Sequence, residues 1–288
     1  MIDFGRLFQG AAARRRLAGA ALTCAALACA AACPGASAET IKAHYSVSLI
    51  GLSIGSASAS GVIEPQSYRV DIGLRTTGLA NLVNSAKGAA TATGALAELG
   101  PVPATYANST ANATETRTVR MALAANAVRA LEVKPEPWDA PVRIPVTDSN
   151  KRNIVDPVSA LIMRVPEGAP LVGPAACNRA IPVFDGVTRF DVQLSYVETR
   201  NARTRGYIGP VSVCAARYTP ISGHRPDSAS TKFMAENGDM SVWLAPLPNA
   251  HVVVPLRIDM RTAAGMLVID ASEFQIAQRQ AEGASPAR

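Results

Sequence analysis

A serine between two glycines, in Gly51-Leu52-Ser53-Ile54-Gly55, is the first arrangement in the chain that could do chemistry. This Gly-x-Ser-x-Gly pattern forms the nucleophile elbow of α/β-hydrolases, where a buried strand turns sharply into a helix and exposes the serine. His251 follows in the order that such a catalytic triad requires. The residues after Ser53 alternate as in a strand, and a hairpin edged by glycines explains the same pattern. We expect a hairpin, and a secreted serine hydrolase that uses Ser53 is the alternative.

Asp156 and Ser159 form a second candidate, in Asp156-Pro157-Val158-Ser159. An aspartate before a proline is typical of a helix start, because its carboxylate accepts hydrogen bonds from free backbone N–H groups and proline suits the first helical position. The pattern predicts a short helix over 156–163, with Asp156 as its cap and Ser159 on its face, rather than a catalytic pair.

The histidines after the N-terminal segment, His44, His224 and His251, have no second His, Cys or acidic residue at the spacing of metal ligands. Asp185 and Asp191 flank a predicted turn and the start of a strand, where carboxylates commonly form turns. We therefore expect no catalytic residue, no metal site and no cofactor.

The N-terminus has the pattern of a cleavable export signal. Arg14–Arg16 precede an uncharged apolar stretch, 17–32, which is too short to span a bilayer comfortably, since spanning takes roughly 20 apolar residues. Ala36-Ser37-Ala38 fits the small-residue rule of signal peptidase, so we expect cleavage after Ala38 and a periplasmic protein. No later segment is long and apolar enough to predict an integral membrane anchor.

Cleavage also simplifies the cysteines and the charge. It leaves Cys177 and Cys214 as the remaining pair in an oxidising compartment, and their wide separation differs from the Cys-x-x-Cys spacing of redox pairs. A structural disulfide is therefore predicted. The formal net charge of +6 falls to +3, because the signal carries four arginines against one aspartate. A surplus this small gives no reason to expect nucleic-acid binding.

An arginine cluster, Arg200, Arg203 and Arg205, lies between two predicted strands. A solvated hairpin tip is its simplest interpretation, and an anionic lipid headgroup or glycan that binds there is the alternative.

Trp243 is the one residue that we single out as a ligand-binding candidate. It lies on a predicted strand after the Asn237-Gly238 turn, on one face with Ser241 and Ala245. A large aromatic beside small neighbours either packs in the core or contacts a ligand, and packing is the simpler interpretation.

The rest of the chain alternates between apolar and polar residues, which is typical of strands with one buried face. Strands are predicted over 45–49, 54–62, 68–76, 118–123, 190–197, 252–260 and 266–274. Many short strands separated by turn residues favour an antiparallel sheet that curls wholly or partly into a barrel. We predict a mainly β fold with one or two short helices, one of them over 79–83. A single domain is expected from 39 to 276, followed by a disordered tail over 277–288.

Six short motifs follow one another along this chain. They are Gly51 with Gly55, Gly100-Pro101-Val102-Pro103, Asp156-Pro157-Val158-Ser159-Ala160, Phe184-Asp185-Gly186 leading into Arg189-Phe190-Asp191, Trp243, and Val254-Pro255-Leu256-Arg257-Ile258. Their order resembles a proteobacterial envelope family, domain of unknown function 3108, over nearly the whole chain after the signal. The resemblance implies a periplasmic β-fold of the open or spiral barrel kind, with no established catalytic residues. The alanine-rich stretch 86–96 has few bulky residues and departs from the family pattern.

From these observations we expect a non-enzymatic periplasmic factor that supports the cell envelope. A curled sheet of this length can enclose more space than its side chains fill, and such barrels commonly hold apolar ligands. The ligand would be apolar, or a partner peptide, with a lipid or another envelope component as the partner. Besides the hydrolase, a structural interaction module is the other alternative.

We predict that Ser53→Ala leaves function intact, because Ser53 is interpreted as a hairpin residue. A serine-directed fluorophosphonate probe should leave the wild-type protein unlabelled at Ser53, as judged by peptide mass spectrometry. Labelling that Ser53→Ala abolishes would favour the hydrolase instead.

Overall fold

Alternation of buried and exposed side chains places most of the chain in strands with one face turned to an interior. The computed structural model describes residues 38–77, 85–137 and 139–279, and all of them belong to one compact unit. The strands are β1 Ala38–Leu49, β2 Leu52–Ile63, β3 Ser67–Thr76, β4 Lys87–Ala97, β5 Gly100–Ala111, β6 Thr116–Ala124, β7 Ala127–Lys134, β8 Met163–Arg164, β9 Arg179–Phe184, β10 Arg189–Thr204, β11 Tyr207–Ser222, β12 Met240–Leu247, β13 Val252–Thr262 and β14 Gly265–Arg279. The helices are α1 Pro174–Cys177 and α2 Ala229–Glu236, and single 3-10 turns cover Ala140–Val142, Ser149–Lys151 and Ser159–Leu161.

One antiparallel sheet contains all of these strands, and it consists of two meanders joined through the first and last strands. The order across the sheet is β7-β6-β5-β4-β3-β2-β1-β14-β13-β12-β11-β10-β9, and the short β8 pairs with β13. β7 and β9 are thus the outer strands, and the sheet is not closed. The predicted mainly β fold, a curled antiparallel sheet with two short helices, is confirmed.

The sheet curls around a hydrophobic core to which both meanders contribute. Tyr68 and Met121 from the first meander and Phe274 from the second belong to the same buried cluster. The turn between β9 and β10 reaches across to β6, where a Cβ at Gly186 would collide with the side chain of Val119. The two outer strands are therefore brought towards each other although they form no ladder.

The long connection from β7 to β9 covers one end of this curl, which we call the closed end. Ile154, Val158 and Ile162 of the connection are buried in the core. Arg164 donates hydrogen bonds to the carbonyls of Pro65 and Ala250, which lie in the β2–β3 and β12–β13 turns at that end. The opposite end, where the β1–β2 turn lies, we call the open end.

The β10–β11 hairpin leaves the sheet and folds across the interior. β11 pairs with β12 only over 212–215, and beyond that stretch the tip of the hairpin rests on β14. There the Phe274 N–H donates to the carbonyl of Arg205 at 2.7 Å, and the Tyr207 ring meets the Phe274 ring edge to face. The hairpin thus fills interior space with its own side chains.

A smaller hydrophobic cluster lies on the outer face of the second meander. Val242 and Leu244 contribute to it from β12, and Val165 and α1 cover it. Cys177 and Cys214 are joined by a disulfide inside this cluster, with both side chains fully buried. The predicted disulfide is confirmed, and it fixes the covering segment to β11.

The predicted strands are confirmed, but two local expectations are wrong. The helix predicted over 156–163 is only the 3-10 turn Ser159–Leu161, because β8 follows at once and pairs with β13. The tail predicted from 277 begins too early, since Ala277, Gln278 and Arg279 pair with β1. The predicted signal peptide (1–37 of it), the predicted helix over 79–83 and residues 280–288 lie outside the described residues.

We predict that the protein loses two protons' mass relative to its reduced form when it is isolated under non-reducing conditions. The double variant Cys177→Ala, Cys214→Ala should be less stable to urea by roughly 2–4 kcal/mol, because the unfolded chain is no longer cross-linked. Two free thiols in exported protein would contradict the prediction.

Candidate functional site at the open end

A cavity of about 400 Å³ opens at the open end of the curled sheet, on the interior side of the first meander. It is lined by Val47, Ile54, Gly55, Leu74, Arg75, Thr76, Ala86, Lys87, Gly88, Thr110, Ala111, Asn112, Glu115 and Arg117. Its volume falls within the roughly 300–1,000 Å³ that is usual for small-molecule sites. We refer to it as the mouth cavity.

Missing side chains create this cavity. Gly55 pairs with Thr76 and Gly88 pairs with Leu74, so two adjacent strand pairs each present one glycine to the same interior face. A Cβ at Gly88 would lie 3.5 Å from Thr110 Cγ2 and 3.9 Å from Leu74 Cβ, which are ordinary contact distances. The space above Gly88 is therefore open because position 88 has no side chain. The backbone there would accommodate a larger residue.

Large apolar side chains are exposed at the open end, one of them, Leu74, in the lining of the mouth cavity. Leu74 is 51% exposed, and Ile50 and Leu52 at the tip of the β1–β2 hairpin are 64% and 65% exposed. Exposed leucine and isoleucine next to a concave surface are a feature of binding sites more than of an ordinary solvated face.

Three cations lie near this end of the first meander, but on different faces of the sheet. Arg75 and Lys87 are cross-strand partners on the outer face of the sheet, since their neighbours Leu74 and Gly88 face the interior, whereas Arg117 lies on the interior face of β6. The one carboxylate in the lining, Glu115, accepts a hydrogen bond from Arg117 at 3.0 Å. The mouth cavity is thus largely apolar, and the cation on its interior side, Arg117, is paired with a carboxylate.

A larger space of about 790 Å³ lies at the closed end, between the strand turns and the β7–β9 connection. Its two cations are already used in holding the backbone. Arg164 donates to turn carbonyls, and Arg179 donates to the carbonyls of Arg164 and Ala175 at 2.7 Å each. This space lies where several segments of the chain are bonded to one another by their arginines. The mouth cavity is therefore the better candidate for a ligand site.

Asp156 and Ser159, the second candidate of the sequence, form a buried hydrogen-bonded network with Tyr68. One Asp156 carboxylate oxygen accepts from the N–H groups of Val158 and Ser159, and the other accepts from the Ser159 hydroxyl at 2.5 Å. Because that hydroxyl hydrogen is used, the Tyr68 hydroxyl donates to Ser159 Oγ, at 2.6 Å. The predicted role of Asp156 as a cap of backbone N–H groups is confirmed.

This network is suited to holding structure. Asp156 and Ser159 are fully buried and Tyr68 is 3% exposed, so a substrate has no access to them. Burial raises the pKa of Asp156, and the hydrogen bonds it accepts oppose that rise. Burial likewise raises the pKa of Tyr68 well above its ordinary value. The three side chains join β3 to the β7–β9 connection.

Ser53 lies in β2 beside the β1–β2 turn, so the strand-to-helix turn of a nucleophile elbow is not present there. His251, the histidine that a triad would need, lies in the β12–β13 turn at the closed end, where its ring contacts the carbonyl of Pro166 at 3.1 Å. The structure therefore places the two residues at opposite ends of the sheet.

The other histidines and aspartates are also separate. His44 is exposed on β1, and His224 lies beyond β11 with a buried Nδ1 that has no partner among the described residues. Asp185 accepts hydrogen bonds from the N–H groups of Val187 and Thr188, as expected of a turn former, and burial raises its pKa. Asp191 pairs with Arg189 at 2.6 Å. Within the described ranges no group of three or more His, Cys, Asp or Glu residues could hold a metal ion.

The arginine cluster lies at the β10–β11 hairpin, as predicted, but two of its members are engaged. Arg200 pairs with Glu198 at 2.6 Å, and Arg205 pairs with Glu273 at 3.5 Å. Arg203 is exposed. An anionic headgroup at the cluster would have to compete with these acidic partners.

Trp243 is half-buried and packs against the interior core. The guanidinium carbons of Arg200 and Arg257 lie 5.3 and 5.4 Å from its ring centroid, within the range of cation–π attraction. Arg257 is held in turn by Asp259 at 2.8 Å. These contacts account for the tryptophan as a packing residue, and its contact with a ligand stays a prediction.

The residues of the mouth cavity were not among the sequence candidates. The signal that could have found them is the alternation Gly88, Ala90, Ala92, Gly94, which leaves one face of a strand almost without side chains. Where the surrounding strands carry side chains of ordinary size, a strand with such small residues leaves an unfilled space in the interior. Arg117, at an interior position of β6, is the second signal, because a cation is unusual on the core face of a strand.

Comparison with known proteins gives a family and a similar architecture. The family described as "Protein of unknown function (DUF3108)" matches residues 43–272. A solved structure with a similar fold is the crystal structure of a beta-barrel-like protein of domain of unknown function DUF1849 from Brucella abortus. It has 10% sequence identity and a TM-score of 0.45, and the match covers 84% of this chain and 98% of that one. Among curated proteins there is no significant match.

We predict that Asp156→Ala lowers the free energy of unfolding by roughly 3–5 kcal/mol, because three buried donors lose their acceptor. Asp156→Asn keeps an oxygen for the two backbone N–H groups and should lose less than half as much. Urea denaturation of both variants checks this, and equal losses would show that the charge itself matters more than the hydrogen bonds.

Proposed function

Since the chain belongs to the DUF3108 family, whose function is unknown, we propose from the mouth cavity that the protein is an exported, non-enzymatic binding protein. It supports the cell envelope by holding an apolar ligand, the hydrocarbon chain of a lipid, at the open end of its curled sheet. The observation that carries the proposal is an apolar cavity left open by glycines, with the exposed side chain of Leu74 in its lining.

Burial of apolar surface supplies the binding energy in this proposal. A hydrocarbon chain in the cavity would cover Leu74 and contact Val47 and Ile54, and each buried methylene contributes about 0.8 kcal/mol. Gly55 and Gly88 let the chain lie close to the backbone of the sheet. Because the cavity opens at the end of the curl, the polar end of the ligand can stay in water.

The composition of the lining supports binding without catalysis. The described lining residues include no histidine, cysteine or aspartate, and Glu115 is paired with Arg117. A hydroxyl nucleophile in the cavity, Thr76 or Thr110, would therefore have no histidine beside it to act as its base. Ser53, the nucleophile of the alternative, is exposed on the hairpin.

Export is supported by the signal pattern that ends at Ala38 and by the Cys177–Cys214 disulfide, since disulfides persist in oxidising compartments. Among the described residues no helix has the length and apolar character needed to cross a membrane.

We predict that the protein purified without detergent retains lipid, and that Gly88→Leu retains little or none. The isobutyl group of leucine would occupy the space above position 88 without disturbing the backbone, so the melting temperature should not fall. Mass spectrometry of the extracted lipids, beside a thermal melt, measures both quantities.

Ala89→Leu is the matched control, because residue 89 lies on the same strand with its exposed side chain on the other face of the sheet. It should retain lipid like the wild type. If the wild-type protein carries no lipid, or if Gly88→Leu retains as much as Ala89→Leu, the proposal is wrong.

A further inference from the structure

We propose that the tip of the β1–β2 hairpin is a docking site for the surface of an anionic lipid bilayer. Ile50 and Leu52 enter the interface of the membrane, while Arg75 and Lys87 lie at the level of the lipid headgroups. This inference goes beyond the proposed function, because docking uses side chains of the hairpin tip and of the outer face, whereas the mouth cavity lies on the interior face.

The tip of this hairpin exposes two large apolar side chains. Ile50 and Leu52 flank Gly51, and both side chains are largely exposed. Ile50 also has a φ of +46°, a left-handed backbone conformation that is unusual for a β-branched residue. Asparagine, aspartate and glycine are the usual residues of such turns. Because exposure and backbone strain both cost stability, contact with a partner explains this isoleucine better than the fold does.

The neighbouring β13–β14 turn holds the tip in place. The N–H of Ile50 donates to the carbonyl of Met266 at 2.9 Å. Gly265 lies beside the isoleucine, and a Cβ at that glycine would collide with the Ile50 side chain. The apolar side chains are therefore carried by a fixed backbone, and docking does not have to order a loop.

Two cations without a carboxylate partner lie on the outer face behind the tip. Arg75 and Lys87 are directly opposite each other on β3 and β4, which is an unfavourable position for like charges. Arg75 donates to Ser56 Oγ at 3.1 Å, and within 38–77, 85–137 and 139–279 no ion pair includes either cation. The sequence 78–84 between them contains no acidic residue. Both charges are therefore free to interact with an external anion.

The distance from the tip to these cations matches the depth of a membrane interface. Arg75 is opposite Ser56, and Leu52 lies four residues nearer the turn on the same strand. At about 3.3 Å per residue, and allowing for the bulge at Ile54, the cations lie roughly 10 Å behind the tip. The apolar face of an interfacial segment is buried about 5–10 Å into the boundary between headgroups and acyl chains. Arg75 and Lys87 then reach the lipid phosphates, which strengthens binding to an anionic bilayer.

The closed end of the first meander carries the opposite charge. Its β4–β5 turn also exposes a large apolar side chain, Leu99, but the exposed Glu98 precedes it. Glu64 is exposed at the β2–β3 turn of the same end. An anionic membrane attracts the open end and repels these carboxylates, so charge complementarity selects one orientation of the molecule.

The test measures co-sedimentation of the purified exported protein with vesicles of phosphatidylcholine alone and of equal parts of phosphatidylcholine and phosphatidylglycerol. We expect tight binding to the mixture, which added salt weakens, and weak binding to phosphatidylcholine. The tip variant Ile50→Asn, Leu52→Thr should bind the mixture at least about tenfold more weakly, because two apolar side chains no longer enter the membrane. Asparagine tolerates the left-handed backbone at position 50, so the melting temperature should not fall.

Leu99→Asn with Ile208→Thr is the matched control for the tip variant. Both side chains are large, apolar and exposed, and they lie at the closed end and on the β10–β11 hairpin. This control should bind the mixture like the wild type.

Arg75→Gln with Lys87→Gln should bind the mixture roughly tenfold or more weakly and bind phosphatidylcholine as before, since each cation adds to the attraction of an anionic surface. Lys42→Gln with Arg203→Gln removes the same charge from exposed positions elsewhere and should keep most of the binding.

The outcomes separate docking from the proposed function, because lipid retained by the purified protein reports on the mouth cavity and vesicle binding reports on the tip. The docking site is wrong if the wild type does not bind the mixture, or if the tip variant binds it as tightly as its control. If both charge variants lose binding equally, the effect comes from net charge and the role of Arg75 and Lys87 is overturned. Absence of retained lipid with vesicle binding intact contradicts the proposed function and leaves docking in place.

Discussion

The shape of the sheet depends on a short stretch of extended backbone, residues 152–155, that lies between its two outer strands. On one side the N–H of Ile154 donates to the carbonyl of Asn126 in the β6–β7 turn, at 2.9 Å. On the other side Val155 exchanges hydrogen bonds with β9, its N–H with Pro182 and its carbonyl with Phe184. These bonds join β7 to β9 indirectly, and Asp156 fixes the backbone just after them. A sheet that would otherwise end in two free edges is thereby held in a curl.

Because this stretch closes only one end, the two ends of the curl have different properties. The closed end is covered by the connection that carries Ile154, Val158 and Ile162, and arginine side chains donate to backbone carbonyls there. At the open end the interior face of β2 and β4 carries Gly55 and Gly88, and the β10–β11 hairpin fills only the part beside β14. The cavity follows from this division, because the small residues lie where no segment within 38–77, 85–137 and 139–279 covers them.

Local patterns in the sequence were enough to predict the strands, the curled sheet and the disulfide. Tyr68 to Thr76 alternates so regularly that its strand and its buried face both follow from the pattern. The disulfide was predicted from the expected export to an oxidising compartment, which leaves Cys177 and Cys214 as a pair. In contrast, the helix expected at 156–163 is not formed, although Asp156 does cap backbone N–H groups as predicted. The turn ends after Leu161 because β8 follows and pairs with β13. That pairing is a tertiary contact, which no local pattern records.

The mouth cavity could not be predicted in the same way, because it is a property of facing strands. Gly88, Leu74 and Thr110 are far apart in the chain and meet only through the register of β3, β4 and β5. A one-residue shift of that register would turn Gly88 outwards. The alanine-rich stretch was visible as an irregularity in an otherwise bulky pattern, and its meaning depends on which residues lie opposite it.

The pairing of β1 with β14 also constrains how the molecule forms. The register joins Ala38 to Arg279, so the centre of the sheet is assembled from the two ends of the described chain. While the chain is being made, the first meander can form through neighbouring strands, but one edge of β1 has no partner until the final strand emerges. Sheets with such distant pairings fold slowly, since a very long loop must close before the contacts form. The nascent chain therefore carries an open strand edge for most of its synthesis, and shielding that edge from other chains is a task that falls outside the folded protein.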